Sequence, residues 1–439
     1  MTIHSAQAST AGAWPSRGRQ SAVDVVVISL PLAVAAVNTS RGTIAALLAI
    51  GWVLARQGAH IVRNAAALDL LMALAAVMVL ASPHWVPGLG NEYASASYGP
   101  AVNIIYALCV RRVLLNRSNF ANFLRGTALL TTAYAVYFLT QGQAIEASTS
   151  VRQTVDFANA NYTGAILAYG VSVSVWMARG TSNRRLRILA LVSVGVQVWA
   201  VLQTGSRASM AGAAAAAIVL VIGPSVRTYR VSAIGLVFSF CAGFLPAVDR
   251  LALWASESLA AVSYFNRQQS ALADASGRLE LWAAARNVAM DAWLTGWGTE
   301  RYRLQPGGPG FLAHSWGLEY LASVGVLGSA ILVAVFTLSY LTPYRSRSAD
   351  GILLVTASAF ALAPSLMLST HQWTLWLWAA VAVWSRSHLS GSADGFTQIS
   401  SRSRPGSQRS STDRKRTRPS ASRRVASPAS GAQSSAQPD

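Results

Sequence analysis

Twelve apolar runs divide this chain, at 22–38, 42–56, 66–82, 97–112, 121–140, 158–178, 186–203, 208–224, 231–248, 316–341, 351–370 and 372–386. About 20 apolar residues in helical form match the ~30 Å hydrocarbon core of a bilayer. Lipid offers main-chain polar groups no partner, so only helices and closed barrels cross it. The chain is 53% hydrophobic and only 12% charged, whereas soluble domains carry about a quarter charged residues. These features predict an all-α polytopic membrane protein with about twelve transmembrane helices. The expected organisation is a short N-terminal segment (1–20), a transmembrane body (21–386) and a tail (387–439). Arg17 and Arg19 precede the first run with no small-residue cleavage site after it, which fits a retained span rather than a removed signal peptide.

Basic residues set the orientation. There are 35 Lys+Arg against 16 Asp+Glu, and Lys415 is the sole lysine. Alternate loops carry Arg56 and Arg63; Arg111, Arg112 and Arg117; Arg179, Arg184, Arg185 and Arg187; Arg227 and Arg230; Arg345 and Arg347. The intervening turns are mostly poor in them, Arg41 being a small exception. By the positive-inside bias, both termini are expected in the cytoplasm and the loop 249–315 outside. The tail, rich in Ser, Pro and Arg, buries too little apolar surface to fold alone. It is expected to be disordered, with anionic lipid as a candidate partner. An arginine-biased composition does not imply nucleic acid, and none is expected as a partner. Cys109 and Cys241 fall inside predicted spans and read as small apolar residues. No Cys/His cluster has zinc-ligand spacing, no acidic cluster suggests a divalent ion, and no cofactor is expected.

The loop 249–315 holds Arg250, Arg267, Arg278, Arg286, Arg301 and Arg303 on the side the bias disfavours, together with Gly296, Gly298, Gly307, Gly308 and Gly310. Within it, Ser276 is placed to cap a helix starting near Gly277, with Glu280 in its first turn. Leu279, Trp282, Arg286, Ala289 and Trp293 then recur at helical spacing. The glycine-rich pieces on either side of Arg301 read as loop. Arg207 is a further arginine on the outer side.

Four motifs lie in order on that outer side: Thr204-Gly205-Ser206-Arg207, Gly277-Arg278-Leu279-Glu280-Leu281-Trp282, Leu294-Thr295-Gly296-Trp297-Gly298, and His314-Ser315-Trp316-Gly317-Leu318-Glu319 followed by Gly325 and Gly328. With Asn161-Tyr162 upstream, the set resembles the O-antigen ligase/polymerase family over roughly Asn159 to Tyr340. The resemblance implies a C-type glycosyltransferase-like fold and an inverting, metal-independent transfer. The donor would be a polyprenyl-diphosphate-linked glycan and the acceptor a hydroxyl on a lipid, glycan or protein outside the cytoplasmic membrane. It also implies Ser206, Asn161, Tyr162, Trp282, Gly298 and Glu319 as candidate substrate-binding residues.

The residue chemistry is compatible with that reaction. A diphosphate leaving group gathers negative charge, which guanidinium groups stabilise through paired hydrogen bonds. Arg207 and Arg278 are the candidates for this. The acceptor hydroxyl needs a base, and imidazole, titrating near ~6.5, suits that work around neutral pH. His314 is the candidate. Glu319 lies five residues on, off the helical face of His314, and ranks as a support residue. Trp282, Trp293, Trp297 and Trp316 suit either stacking on sugar rings or anchoring at the membrane interface. A polysaccharide polymerase and a protein O-oligosaccharyltransferase share this chemistry and differ in acceptor. A polysaccharide or lipid transporter would place ionisable residues deep in the spans, whereas Asp69, Arg125 and Glu319 sit near span ends.

Overall fold

The computed structural model describes residues 17–63, 65–84, 96–141, 143–147, 150–154, 160–223, 225–241, 269–310, 313–346, 348–368 and 374–390. Thirteen α-helices lie among them. They are α1 (Arg17–Val37), α2 (Thr39–Arg63), α3 (Ala67–Ala81), α4 (Tyr98–Val113), α5 (Arg117–Gln141), α6 (Ala160–Gly180), α7 (Arg184–Gln203), α8 (Arg207–Ile222), α9 (Val226–Cys241), α10 (Gln269–Asp291), α11 (Trp316–Arg345), α12 (Ala349–Leu368) and α13 (Thr374–Trp384). Each expected apolar run falls on one of these, and α10 is the additional helix, within the loop 249–315. Among the described residues, three stretches are long and apolar enough to cross a membrane by length and composition: Ala67–His84, Arg184–Gln203 and Trp316–Arg345. Large apolar side chains also face outward, Val221 at 84% and Leu48 at 73% exposure. Such a surface is unfavourable in water and at home in hydrocarbon. The protein is a helical integral membrane protein.

Helix-to-helix contact in lipid gains little from the hydrophobic effect, so close approach and interhelical hydrogen bonds take over. A Cβ at Gly170 of α6 would collide with Thr131 of α5, and one at Gly212 of α8 with the Ala361 carbonyl of α12. Gln197 of α7, fully buried, donates to Thr131 and Thr132 of α5 at 2.9 Å each and accepts from Ser174 of α6 at 3.3 Å. Ion pairs close one end of the bundle. Asp69 of α3 binds Arg111 and, at 2.5 Å, Arg112 of α4, and Arg386 donates to the Arg111 carbonyl at 3.1 Å. Asp24 of α1 pairs with Arg56 of α2 at 3.4 Å. These arginines belong to the basic set of loops, and their partners are carboxylates at neighbouring helix ends.

Three expectations are corrected. The chain, expected to be all-α, also contains two strands, β1 (Gln143–Ala147) and β2 (Ser150–Thr154). The strands pair antiparallel with Ile145 opposite Arg152. Helix α10 begins at Gln269 rather than near Gly277, so Ser276 is internal to it and not its cap. The run 316–341 is not one rod. Gly325 has φ 65° and ψ −171° inside α11, a conformation open essentially to glycine, and it splits the helix into two arms. At the far end, Ser387–Ser390 form a short 3-10 turn with Ser387 and Ser390 buried. The expected tail beyond it, and residues 1–16, lie outside the described residues.

Candidate active site

A second, smaller core lies apart from the bundle core. Trp282, Ala285, Val288 and Ala289 share one face of α10 and are buried with Tyr302, Ala313, Leu318 and Ala322. That spacing of three and four residues is the apolar stripe an amphipathic helix presents, and here it covers the first arm of α11.

The break at Gly325 is what joins this core to the bundle. A helix interrupted in an apolar setting strands carbonyls before the break and N–H groups after it, each costing several kcal/mol in hydrocarbon. The segment 293–298 supplies partners for both. Trp297 and Gly298 donate their N–H groups to the Ala322 and Ser323 carbonyls, both at 2.8 Å, while Val326 and Leu327 donate to the Trp293 and Leu294 carbonyls at 2.8 and 3.3 Å. The main chains lie so close that a Cβ on Gly296 would collide with Ser323 and Gly325, and one on Gly325 with Leu294. Both glycines have positive φ, so steric room and conformation demand the same residue. The Leu294–Gly298 motif is thus a plug fitted to the break.

The break turns the first arm back on the second. In a straight helix Trp316 and Phe336 would be about 30 Å apart, yet their ring centroids are 5.2 Å apart. Trp316 also packs on Phe240 at 5.6 Å. His314 therefore stands at the start of a short arm folded into the molecule.

Three side chains engage the main chain at that point. Trp282 Nε1 donates to the Ala313 carbonyl at 2.7 Å, the Ala313 N–H donates to the Tyr302 hydroxyl at 3.2 Å, and the His314 N–H donates to Glu319 Oε1 at 3.0 Å. His314 has φ 53°, the left-handed region that few non-glycine residues adopt, His among the more tolerant. Burial, with Glu319 nearby, pushes the Tyr302 phenol well above its ordinary range, so it stays a neutral hydroxyl at any working pH. Arg301 donates to the Pro83 carbonyl at the end of α3, and Gly298 (φ 92°) leaves no space for a Cβ beside Pro83. The loop is thereby pinned to the bundle. Arg303 pairs with Glu300 at 3.2 Å.

A second group of candidates sits where α6 and α8 begin. Ser206 is the N-cap of α8, its side chain accepting from the Ser209 N–H, and Ser206 Oγ donates to Asn161 Oδ1 at 2.9 Å. Arg207 is the first residue of α8 and Arg278 lies midway along α10. The side chains of both are outside the described parts. Tyr162 is buried and donates to the Ala35 carbonyl at 2.7 Å, capping a carbonyl in the last turn of α1.

The structure thus brings His314, Glu319, Trp282 and the Gly298 loop together, and separately brings Ser206 to Asn161. Three of the expected substrate-binding residues also make contacts within the fold: Trp282 holds Ala313, Gly298 abuts Pro83, and Tyr162 ties α6 to α1. Glu319, expected off the helical face of His314, meets its main chain all the same, because His314 precedes the helix and Glu319 bends back over its start. Tyr302 was not singled out from the sequence. Its signal there is an aromatic residue with a polar tip between Arg301 and Arg303.

A helical membrane bundle with a loop-built core, closed over a broken helix, defines the class. Within it, residues 196–333 match the family model described as O-antigen ligase, so the chain carries an O-antigen ligase/polymerase family region. That region runs from α7 into α11 and contains all four motifs with Gly325 and Gly328; Asn161-Tyr162 lies before it. No curated protein matches the chain significantly. Members of this family are glycosyltransferase-like ligases and polymerases, which supports an enzyme acting on lipid-linked glycan.

Proposed function

We propose that the protein is an inverting, metal-independent glycosyltransferase. It transfers a glycan from a polyprenyl diphosphate to an acceptor hydroxyl at the outer face of the cytoplasmic membrane, with about twelve crossings and both termini inside. The acceptor oxygen attacks the anomeric carbon on the side opposite the diphosphate. The bond from that carbon to the phosphate oxygen breaks, its electron pair leaves with the diphosphate, and the acceptor's proton passes to His314. A single displacement inverts the anomeric centre. Arg207 and Arg278 stabilise the charge gathering on the leaving group, and Ser206 with Asn161 orients the start of α8 next to it.

One observation carries the reading. His314 sits inside the family-matched region, at the start of the folded-back arm, with its main chain held at positive φ by buried side chains. A further feature suits a polyprenyl donor. An apolar cavity of about 190 Å³ is lined by residues of α9, α11, α12 and α13, among them Phe240, Phe336 and Trp384. Phe240 and Phe336 also pack on Trp316, two residues from His314.

The test supplies purified protein with polyprenyl-diphosphate-linked glycan and a panel of lipid, glycan and protein acceptors. Glycan transfer and release of polyprenyl diphosphate are both followed. The expected result is matched transfer and release, lost in Arg207→Ala, Arg278→Ala and His314→Ala with normal protein abundance. Wild-type turnover in all three would remove the proposed site. The acceptor that works decides between ligase, polymerase and protein glycosylation.

A further inference from the structure

Three consecutive main-chain polar groups, the Ala313 N–H, the Ala313 carbonyl and the His314 N–H, are each bound by a side chain from a different element. Tyr302 comes from the 3-10 turn Arg301–Leu304, Trp282 from α10 and Glu319 from α11. All three side chains are buried, at 0%, 2% and 1% exposure. A side chain that bonds main chain is common, but three from different elements converging on one dipeptide need a reason. Packing alone gives none, because the polar tips add nothing to apolar burial and demand partners once buried. The dipeptide itself has one unusual property, the left-handed turn at His314. Held only by its neighbours in the chain, it would relax toward a commoner conformation and swing the imidazole away.

We propose that Tyr302, together with Trp282 and Glu319, is a positioning residue for His314: the three side chains lock the Ala313–His314 main chain in its left-handed turn and so aim the imidazole at one point. This rests on the reading of His314 as the base that takes the acceptor proton. The lock is stiff because its parts belong to elements already tied down. Trp282 is part of the loop core, the turn bearing Tyr302 is fastened to Pro83 through Arg301, and Glu319 is on an arm plugged by residues 293–298. A functional group on rigid supports keeps productive geometry where one on a loose loop does not.

The chain has six histidines, so selective ¹³C/¹⁵N-histidine labelling of the full protein in nanodiscs gives a tractable ring spectrum, with His314→Ala assigning the His314 signal. Tyr302→Phe keeps the ring and removes the oxygen that accepts the Ala313 N–H. We expect it to split or broaden the His314 signal. Turnover, followed as release of polyprenyl diphosphate, should fall about ten- to a hundredfold with KM unchanged, the scale of a small misplacement of a reacting group. Glu319→Gln keeps an acceptor oxygen and should preserve the His314 signal and most of the turnover, while Glu319→Ala should lose both. This pair gives the same reading if Tyr302→Phe fails to fold. A wild-type His314 signal and wild-type turnover in Tyr302→Phe, with His314→Ala inactive, would overturn the positioning role and leave the proposed reaction standing. An altered His314 signal in Tyr302→Phe, with His314→Ala fully active, would support the lock and overturn the base.

Discussion

The bundle end around Asp69 and the loop core around His314 both bury polar side chains, and they use them in opposite ways. At Asp69 the charges answer one another. One carboxylate takes two guanidinium groups from α4, and Arg386 closes the group by donating to the Arg111 carbonyl. At His314 the side chains of Trp282, Tyr302 and Glu319 answer the main chain. The first arrangement ties helices together and pairs part of the charge where lipid would penalise it. The second sets a backbone shape, which matters only if the residue carrying that shape has work to do. On the proposed function, buried charge is a poorer guide to the site in this molecule than a side-chain-held backbone.

The largest effect that sharpens this contrast is on chemistry. His314→Ala should lower turnover by about 10²- to 10⁴-fold, the range of a positioned general base, with little change in the unfolding transition. A thermal melt in detergent beside a polyprenyl diphosphate release assay checks both. An equal loss of stability would make His314 a structural residue like Asp69, and the contrast would fail.

Asp69→Ala should do the reverse. It leaves two buried guanidinium groups facing each other without their carboxylate, a change that costs about 3–5 kcal/mol. The yield of folded protein and its melting temperature should drop sharply. Turnover per folded molecule should stay near wild type. Lost turnover at full stability would favour a transport or coupling role for Asp69, the reading that ionisable residues in the spans would support.

Gly325→Ala tests the hinge between the two regions. The substitution forces a Cβ onto Leu294 in a conformation that L-residues avoid, worth about 1–3 kcal/mol of strain. The loop core should loosen before the bundle does. Limited proteolysis should then cut within 269–310 of the variant at protease levels that leave the wild type whole, while the bundle fragments persist. Uniform destabilisation would mean that loop and bundle unfold as one unit.

How much of this was legible beforehand differs between the two regions for a physical reason. Hydropathy reads composition, and the bundle is made by composition: over the described residues each expected run lies on a helix, because an apolar stretch has few other choices in lipid. The break in α11 left no such trace. Residues 316–341 are apolar on both sides of Gly325, and a run of leucine, valine and alanine looks alike whether or not one glycine inside it reverses the chain. The partner of the break, Leu294–Gly298, reads in the sequence only as a glycine-rich loop, and pairing the two takes contacts across about thirty residues. Glu319 is hidden for a different reason: a helical wheel compares positions inside a helix, whereas His314 precedes α11 and Glu319 bends back past its first turn. Ser276 had the chemistry of a cap but stood inside a longer helix, since α10 draws on residues before it that carry no strong apolar pattern.

The smallest expected effect concerns Ser206, which has one foot in each kind of role. As N-cap of α8 it accepts the Ser209 N–H, and losing such a cap costs about 1 kcal/mol. As the donor to Asn161 it also links the starts of α6 and α8, next to Arg207. Ser206→Ala removes both bonds and the one to the Ser209 hydroxyl, whereas Ser206→Asp keeps a capping oxygen and loses the donor. If capping is all that Ser206 does, Ser206→Asp should melt like the wild type and turn over like it. If its bond to Asn161 sets where Arg207 meets the diphosphate, Ser206→Asp should retain stability and still lose several-fold in turnover, with the added negative charge repelling the leaving group. The two outcomes decide whether the start of α8 belongs with the Asp69 cluster, as a fastening, or with the His314 turn, as part of the site.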